Sequence, residues 1–277
     1  MWARLSRGKV SHGSRLVRDT RRVLVAAVSL GAVAASVSAQ APSTAQQWAD
    51  SAQKAIVTAN LAGDADAILA ARALIDRVLT RFPDDPWLLH YRGFALYREA
   101  TVRQGRERKE VRQYLEEAER ALEKSASQLA LPETHALLGS VIGMQIGSNP
   151  IRGMTHGPRA DGAMDRALER GANNPRVWLL HGIGTMFRPK LFGGGNERAE
   201  QYLRRSIALF DQDRPAPPAP SWGRDEAWLW LGQVLEDEKR WEEAKRAYEA
   251  ALSIAPDNAW VRDELLANLE KRKADRR

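Results

Sequence analysis

Three consecutive glycines, Gly193 to Gly195, stand in "RPKLFGGGNERAEQYLRRS" directly ahead of a segment that reads as a helix. The chemistry open to such a loop is anion capture. Free backbone N–H groups at a helix start attract phosphate or carboxylate, and Lys190 and Arg198 flank the loop to assist. Two common phosphate motifs do not fit. A Walker loop needs Lys-Ser/Thr after its glycine, where this chain has Asn196-Glu197, and a dinucleotide fingerprint needs a preceding strand, where this chain has helical spacing. The competing reading is conformational. A long turn needs positive φ angles, glycine supplies them, and Asn196 is placed to cap the following helix. The conformational reading is the stronger one. On it, Gly194→Ala destabilises if φ is positive there, and is neutral or slightly stabilising if φ is negative.

Other reactive side chains are spread thinly. After the first 39 residues the histidines are His90, His135, His156 and His181, and the methionines are Met144, Met154, Met164 and Met186. Thioether and imidazole suit copper, but no two histidines share an i, i+4 spacing, and methionine commonly fills gaps in helical cores. Carboxylates crowd "LEDEKRWEEAKR" and "YLEEAER", where helical spacing pairs them with bases on a solvated face. No carboxylate pair stands in an apolar setting of the kind a glycosidase needs, and no G-x-S-x-G nucleophile motif occurs. The chain has no cysteine, which excludes disulfides, thiolate metal sites and a cysteine nucleophile. No catalytic residue, metal ligand or cofactor is assigned.

The net charge of +7 belongs mostly to the leading residues. Residues 1–39 hold seven basic side chains and one acid, so the remainder is nearly neutral and has no basic footprint for nucleic acid. "RRVLVAAVSLGAVAASVSAQA" has a basic n-region, an apolar run from Val23 to Val37, and small residues at Val37 and Ala39. This is the layout of a secretory signal peptide cleaved after Ala39. The apolar run is shorter than the about 20 residues a membrane span needs. The expected location is secreted or periplasmic, with no stable membrane span after cleavage.

The elements that position these residues are helices. Apolar residues recur at helical spacing from Thr44 onward, and segments break at "LAGDAD", "RFPDDP", "LALPET", "GANNP", "RPAPPAPSWG" and "IAPDN". About eleven helices are predicted. The breaks recur too. "DEAWLWLGQVLEDEKRWEEAKRAYEAALSIAPDN" sets Trp228, Leu231 and Gly232 on a first helix and Ala244, Tyr248, Ala251 and Pro256 on a second. Weaker copies pair Gly182 with Ala199 and Leu203, Gly139 with Ala160 and Met164, and Gly93 with Ala118 and Leu122. Ala71, Ile75 and Val78 mark the most worn pair. The small residues let two antiparallel helices approach closely, and the large ones fill the space around them.

This pattern resembles the tetratricopeptide repeat (TPR) of about 34 residues, and "NPRVWLLHGIGTMFRPKLFGGGNERAEQYLRRSIALF" resembles exported bacterial TPR proteins with an FGGG insertion. The resemblance implies an all-α, right-handed α-solenoid of about five TPR-like helix pairs plus a C-terminal capping helix. It implies a scaffold and carries no catalytic residue across. The organisation expected is a leader (1–39), degenerate repeats with long intra-repeat turns (40–213), a Pro-rich linker (214–224) acting as a spacer, and a well-matched repeat plus cap (225–277). The turn within the third pair is expected to extend through "GSNPIRGMTHGPRADG". In TPR solenoids the first helix of each pair lines the concave face. The groove residues would then be Trp87, His90, Phe94, Leu179, Ile183, Met186, Phe187 and Trp230, a patch suited to an amphipathic helix or extended peptide. The expected function is an exported, non-enzymatic scaffold for a protein or peptide partner. The alternative is a periplasmic small-ligand accessory of a solute transporter, with a closed pocket near the third and fourth pairs.

Overall fold

The computed structural model describes residues 43–103, 108–147 and 150–275. The leader and its cleavage position lie outside the described residues. Helices α1 (Ala45–Ala62), α2 (Ala65–Leu79), α3 (Pro86–Val102), α4 (Arg108–Ala126), α5 (Pro132–Ile146), α6 (Pro150–Arg170), α7 (Pro175–Phe187), α8 (Asn196–Phe210), α9 (Arg224–Asp237) and α10 (Trp241–Ile254) are followed by a π-helical turn, Trp260–Leu266, and α11 (Leu269–Asp275). Among the described residues there is no strand.

The breaks in the sequence become caps. Thr44 and Gln47 close a reciprocal capping box on α1. Asp64, Asp85 and Asn174 accept from the first amides of α2, α3 and α7, and Pro86 and Pro175 take the first helical position, where no N–H is needed. Each odd-numbered helix from α1 to α9 packs most extensively on the even-numbered helix that follows it, and α1, α3, α5 and α7 also touch in sequence as the inner layer.

The close approaches fall at the predicted pairs. A Cβ on Gly93 would meet Leu122 at 2.5 Å, one on Gly182 would meet Leu203 at 2.9 Å, and one on Gly232 would meet the Tyr248 ring at 2.4 Å. A Cβ on Gly139 would lie 3.0 Å from the Ala160 carbonyl oxygen and 3.4 Å from the Met164 amide nitrogen. Ala71, Ile75, Ala118, Ala199, Ala244 and Ala251 are all buried beneath these contacts. The chain end closes the stack. Val261, Leu265 and Leu269 are buried, and Arg272 reaches back to Glu236 at 2.7 and 3.1 Å, where Tyr248 also donates to Glu236.

One turn differs from expectation. Most of "GSNPIRGMTHGPRADG" is helix, because α6 starts at Pro150 and runs for 21 residues. Pro150 is compatible with a helix start, Gly153 packs near Ile146, and Arg152 donates to the Gln145 carbonyl at 3.2 Å. The inserted residues therefore lengthen a helix, and "MTH" (154–156) lies on α6.

Candidate interaction surface

Segment 211–223 joins α8 to α9, but it does more than space them. It folds back across the inner helices. Tyr91 of α3 donates its hydroxyl to the Pro218 carbonyl at 2.5 Å, and Gln53 of α1 donates to the Ala219 carbonyl at 3.4 Å. The same Gln53 accepts from the Ser221 amide at 2.6 Å. Trp222 is buried and stacks on Phe94 with ring centroids 4.8 Å apart and an interplanar angle of 16°. The expected spacer is thus a strap, bound as an extended peptide is bound: side chains read its backbone and one aromatic anchors it.

Two buried arginines hold the ends of the strap. At its entry, Arg176 of α7 grips Asp213 through both guanidinium nitrogens, at 3.2 and 2.5 Å, and lies over the Phe210 ring. At its exit, Arg98 of α3 pairs with Glu226 of α9 and lies over the rings of Phe94, Tyr97 and Trp222. Burial opposes the charge on Arg98, but Glu226 beside it holds its pKa above the ordinary value. Asp225 next to it is pushed up to about 6, by desolvation and then by the Glu226 charge, against the Asn258 amide that donates to it at 3.3 Å. Gly223 bends the chain out of the strap with φ +102°, packed on Leu179 and Phe210.

The predicted groove residues divide accordingly. His90, Phe94, Leu179 and Ile183 are core residues, not surface, because the strap and the adjoining inner helices cover them. His90 is bonded through Nδ1 to the Thr134 hydroxyl at 2.8 Å, and burial pushes its pKa down to about 3, so it is neutral. Trp87 is half-buried at the start of α3. Met186, Phe187 and Trp230 remain half-buried on α7 and α9. There the rings form a row: Phe187 meets Trp230 edge-on at 5.8 Å, and Trp230 meets Trp260 at 5.9 Å. Trp260 escaped the sequence reading, although a tryptophan stands near the start of α3, α7 and α9 (Trp87, Trp178, Trp228) and "APDNAW" repeats that signal. Tyr91, Arg98 and Trp222 escaped it too, since their role exists only once the strap folds back.

The glycine loop has a definite construction. Residues 190–192 form a 3₁₀ turn, and Gly193 and Gly195 have φ of +82° and +117°. The amides of Gly193, Gly194 and Gly195 donate to the carbonyls of Lys190, Pro189 and Thr185 at 3.0, 3.2 and 3.0 Å. No glycine amide is left to hold an anion. Arg198 donates to the Gly193 carbonyl at 3.2 Å, and Lys190 lies along Gly195. Asn196 is the first residue of α8, and Gly195, which has no side chain, occupies the cap position instead. Gly194 is held by space, not by φ: a Cβ there would sit 1.9 Å from the Arg188 carbonyl oxygen.

Among the described residues no cluster of three or more His, Cys, Asp or Glu is set to hold a metal, and no helix is long and apolar enough to cross a membrane. A cleft lined by Phe210, Asp213, Arg214, Pro215, Ser221 and Arg224 lies along the strap.

Residues 225–258 match the tetratricopeptide repeat family. The fold is similar to that of the HusA haemophore from Porphyromonas gingivalis, with 22% identity, a TM-score of 0.57, and coverage of 69% of this chain and 94% of that one. It is also similar to a thermophilic TPR protein from Thermus thermophilus, with 20% identity, a TM-score of 0.51, and coverage of 82% of this chain and 97% of that one. At these identities the likeness is one of fold. Among curated proteins none is significantly similar in sequence.

Proposed function

This chain carries a tetratricopeptide repeat in a tetratricopeptide-type solenoid, and from that premise we propose that it is an exported, non-enzymatic scaffold binding an extended peptide or protein segment along the C-terminal stretch of its inner face. The observation that carries the reading is the strap. The inner face already holds an extended segment in cis, through Gln53, Tyr91 and a stacked aromatic. The same inner layer then continues into Met186, Phe187, Trp230 and Trp260, which stay half-buried. The indole N–H groups of Trp230 and Trp260 donate to nothing among the described residues, so each offers an apolar ring and a free donor to a peptide backbone.

Export rests on the layout of residues 1–39. N-terminal sequencing of the exported protein is expected to begin at Gln40; a full-length cytoplasmic product would remove that part of the proposal. No observation supports the small-ligand alternative; Leu179, Ile183 and Met164 are themselves buried core residues.

The test of binding is crosslinking capture from envelope extract, comparing wild type with Phe187→Ala/Trp230→Ala. The wild type is expected to capture a partner that the double variant loses while it remains folded at the assay temperature by circular dichroism, although its melting temperature falls because both rings pack on the core. Equal capture by both would place the binding surface elsewhere.

A further inference from the structure

The strap is longer than its task as a connection requires. α8 and α9 pack directly on each other, and neighbouring helices of this kind are usually joined by about 2–8 residues. Here residues 211–223 intervene. The two ends of that segment nevertheless meet. Arg224 donates to Asp211 at 2.8 Å, and a Cβ on Gly223 would lie 3.3 Å from the Phe210 ring. Residues 212–222 therefore leave and return to one place, which is the construction of an Ω-loop. Lifting them from the inner face does not require α8 and α9 to part.

Their hold on the inner face is of a kind that another chain can copy. The Gln53 carboxamide bonds the Ala219 carbonyl at 3.4 Å and the Ser221 amide at 2.6 Å, so one side chain reads the backbone at residues two apart. Tyr91 donates to the Pro218 carbonyl at 2.5 Å. None of these three bonds uses a side chain of the strap. Its side chains contribute at alternate positions: Pro218, Pro220 and Trp222 are buried, while Ser221 is exposed, the alternation of extended backbone. The grip is also incomplete. The indole N–H of Trp222 and the Nε of Arg98 and of Arg176 are buried and meet no partner among the described residues, so the clamps use only part of their donor capacity.

We propose that residues 212–222 are a detachable lid, and that the groove beneath them on α1 and α3 is a second peptide site. Its ligand is an extended segment with apolar residues at alternate positions and an aromatic ring at the last of them. The proposal rests on the reading of the chain as a peptide-binding scaffold, but it uses Gln53, Tyr91, Phe94 and Arg98 in place of the aromatic row. The lid is tethered at high effective concentration and competes with any free ligand. The apparent affinity of the groove is reduced to the fraction of molecules in which the lid is off, so loosening the lid raises it.

The experiment is fluorescence anisotropy with a labelled peptide of residues 211–223, "DQDRPAPPAPSWG", titrated with the full chain. Two host variants loosen the lid and leave the groove intact. Trp222→Ala removes its anchor, and Asp213→Asn weakens the grip of Arg176 without opening a cavity. Each is read where circular dichroism shows it folded. Wild type is expected to bind the peptide weakly, and both variants about tenfold or more tightly. The same peptide carrying Trp222→Ala is expected to lose that gain, as is either host with Gln53→Ala added. Adding Phe187→Ala/Trp230→Ala to the Asp213→Asn host is expected to leave it unchanged. No gain in either folded lid variant, or a gain that survives Gln53→Ala, would overturn the proposal. A gain lost only with Phe187→Ala/Trp230→Ala would move the peptide to the aromatic row, which overturns the lid proposal and leaves the inner-face reading standing.

Discussion

The inner helices α3 and α9 occupy equivalent places in their pairs, and both approach their partners through one glycine, Gly93 on Leu122 and Gly232 on Tyr248. Their inward faces nevertheless have opposite fates. On α3, Tyr91, Phe94 and Arg98 are sealed beneath residues 215–222. On α9, Trp230 stands half-open between Phe187 and Trp260. The repeat code decides how two helices of a pair meet. The connection between pairs decides whether the face they present is free. A scaffold can therefore keep one architecture throughout and close part of its groove with its own chain.

Removing the clamp at the end of the strap should break this difference with the largest effect. Arg98→Met leaves Glu226 buried without its partner and Asp225 beside it. Breaking a buried pair from one side typically costs about 3–5 kcal/mol. The measurement is urea unfolding, together with hydrogen exchange over residues 215–222, which are expected to lose protection first. Trp230→Ala in the open half should leave that protection intact. Equal protection of the strap in the Arg98 variant would mean that Trp222 stacking and the Gln53 and Tyr91 hydrogen bonds hold it without the clamp.

A matched pair of overpacking variants sharpens the comparison. Gly93→Trp and Gly232→Trp insert the same bulk at the same place in two pairs, and each is expected to destabilise by about 1–3 kcal/mol or more. The spread should differ. Damage at Gly232 is expected to stay with α9, α10 and the chain end, because a solenoid transmits mainly to neighbours. Damage at Gly93 should also free the strap, which crosses from α8 back to α1 and α3. Local exchange rates check both outcomes, and identical patterns would show that the strap adds no coupling.

These variants rest on contacts legible in the sequence. The glycine of each first helix and its partner on the second could be read from spacing, as could the helix starts at Asp64, Asp85 and Asn174, because both are local. The inward direction of Phe94 and Ile183 was also legible. What covers them was not. Pro-rich "RPAPPAP" reads as a spacer in isolation, and nothing nearby in sequence says that Gln53, more than 160 residues earlier, will donate to its Ala219 carbonyl. Asn196 as a cap failed for a local reason: Gly195 took the cap position with a backbone conformation of φ +117°.

Acidification should separate the halves by sign. His90, in the covered half, is held neutral to about 3, whereas the unfolded side chain takes a proton near 6.5. The unfolded state then binds more protons between those values, so this contribution to stability is present above pH 6.5 and falls as pH drops. The slope is about 1.4 kcal/mol per pH unit for one group. Asp225, where α9 begins, is raised from 3.8 to about 6. There the native state binds the extra proton, so its contribution is largest below the unfolded value and is lost as pH rises through 6. His90→Gln is expected to flatten the loss of stability between pH 6.5 and 5, and Asp225→Asn to steepen it. Unfolding midpoints across that range decide the matter, and unchanged slopes in both variants would reject the assignment.

The smallest expected effect concerns the glycine loop, and its smallness is the point. If Gly193–Gly195 formed an anion site, phosphate would raise the melting temperature of the wild type by mass action at concentrations near its Kd, and Arg198→Ala would weaken that rise. The three glycine amides are already donated to Lys190, Pro189 and Thr185, so no specific shift is expected in either protein when phosphate is matched for ionic strength. Gly194→Ala, by contrast, should destabilise by about 1–3 kcal/mol, because its Cβ would press on the Arg188 carbonyl. That loss should be the same with and without phosphate. Lys190 and Arg198 then act as surface charge distributed over the end of the solenoid, without forming a cage for one ion. A phosphate-dependent shift of several degrees in the wild type that vanishes in Arg198→Ala would show that the loop opens to release its amides, and would make it a ligand site in the open half.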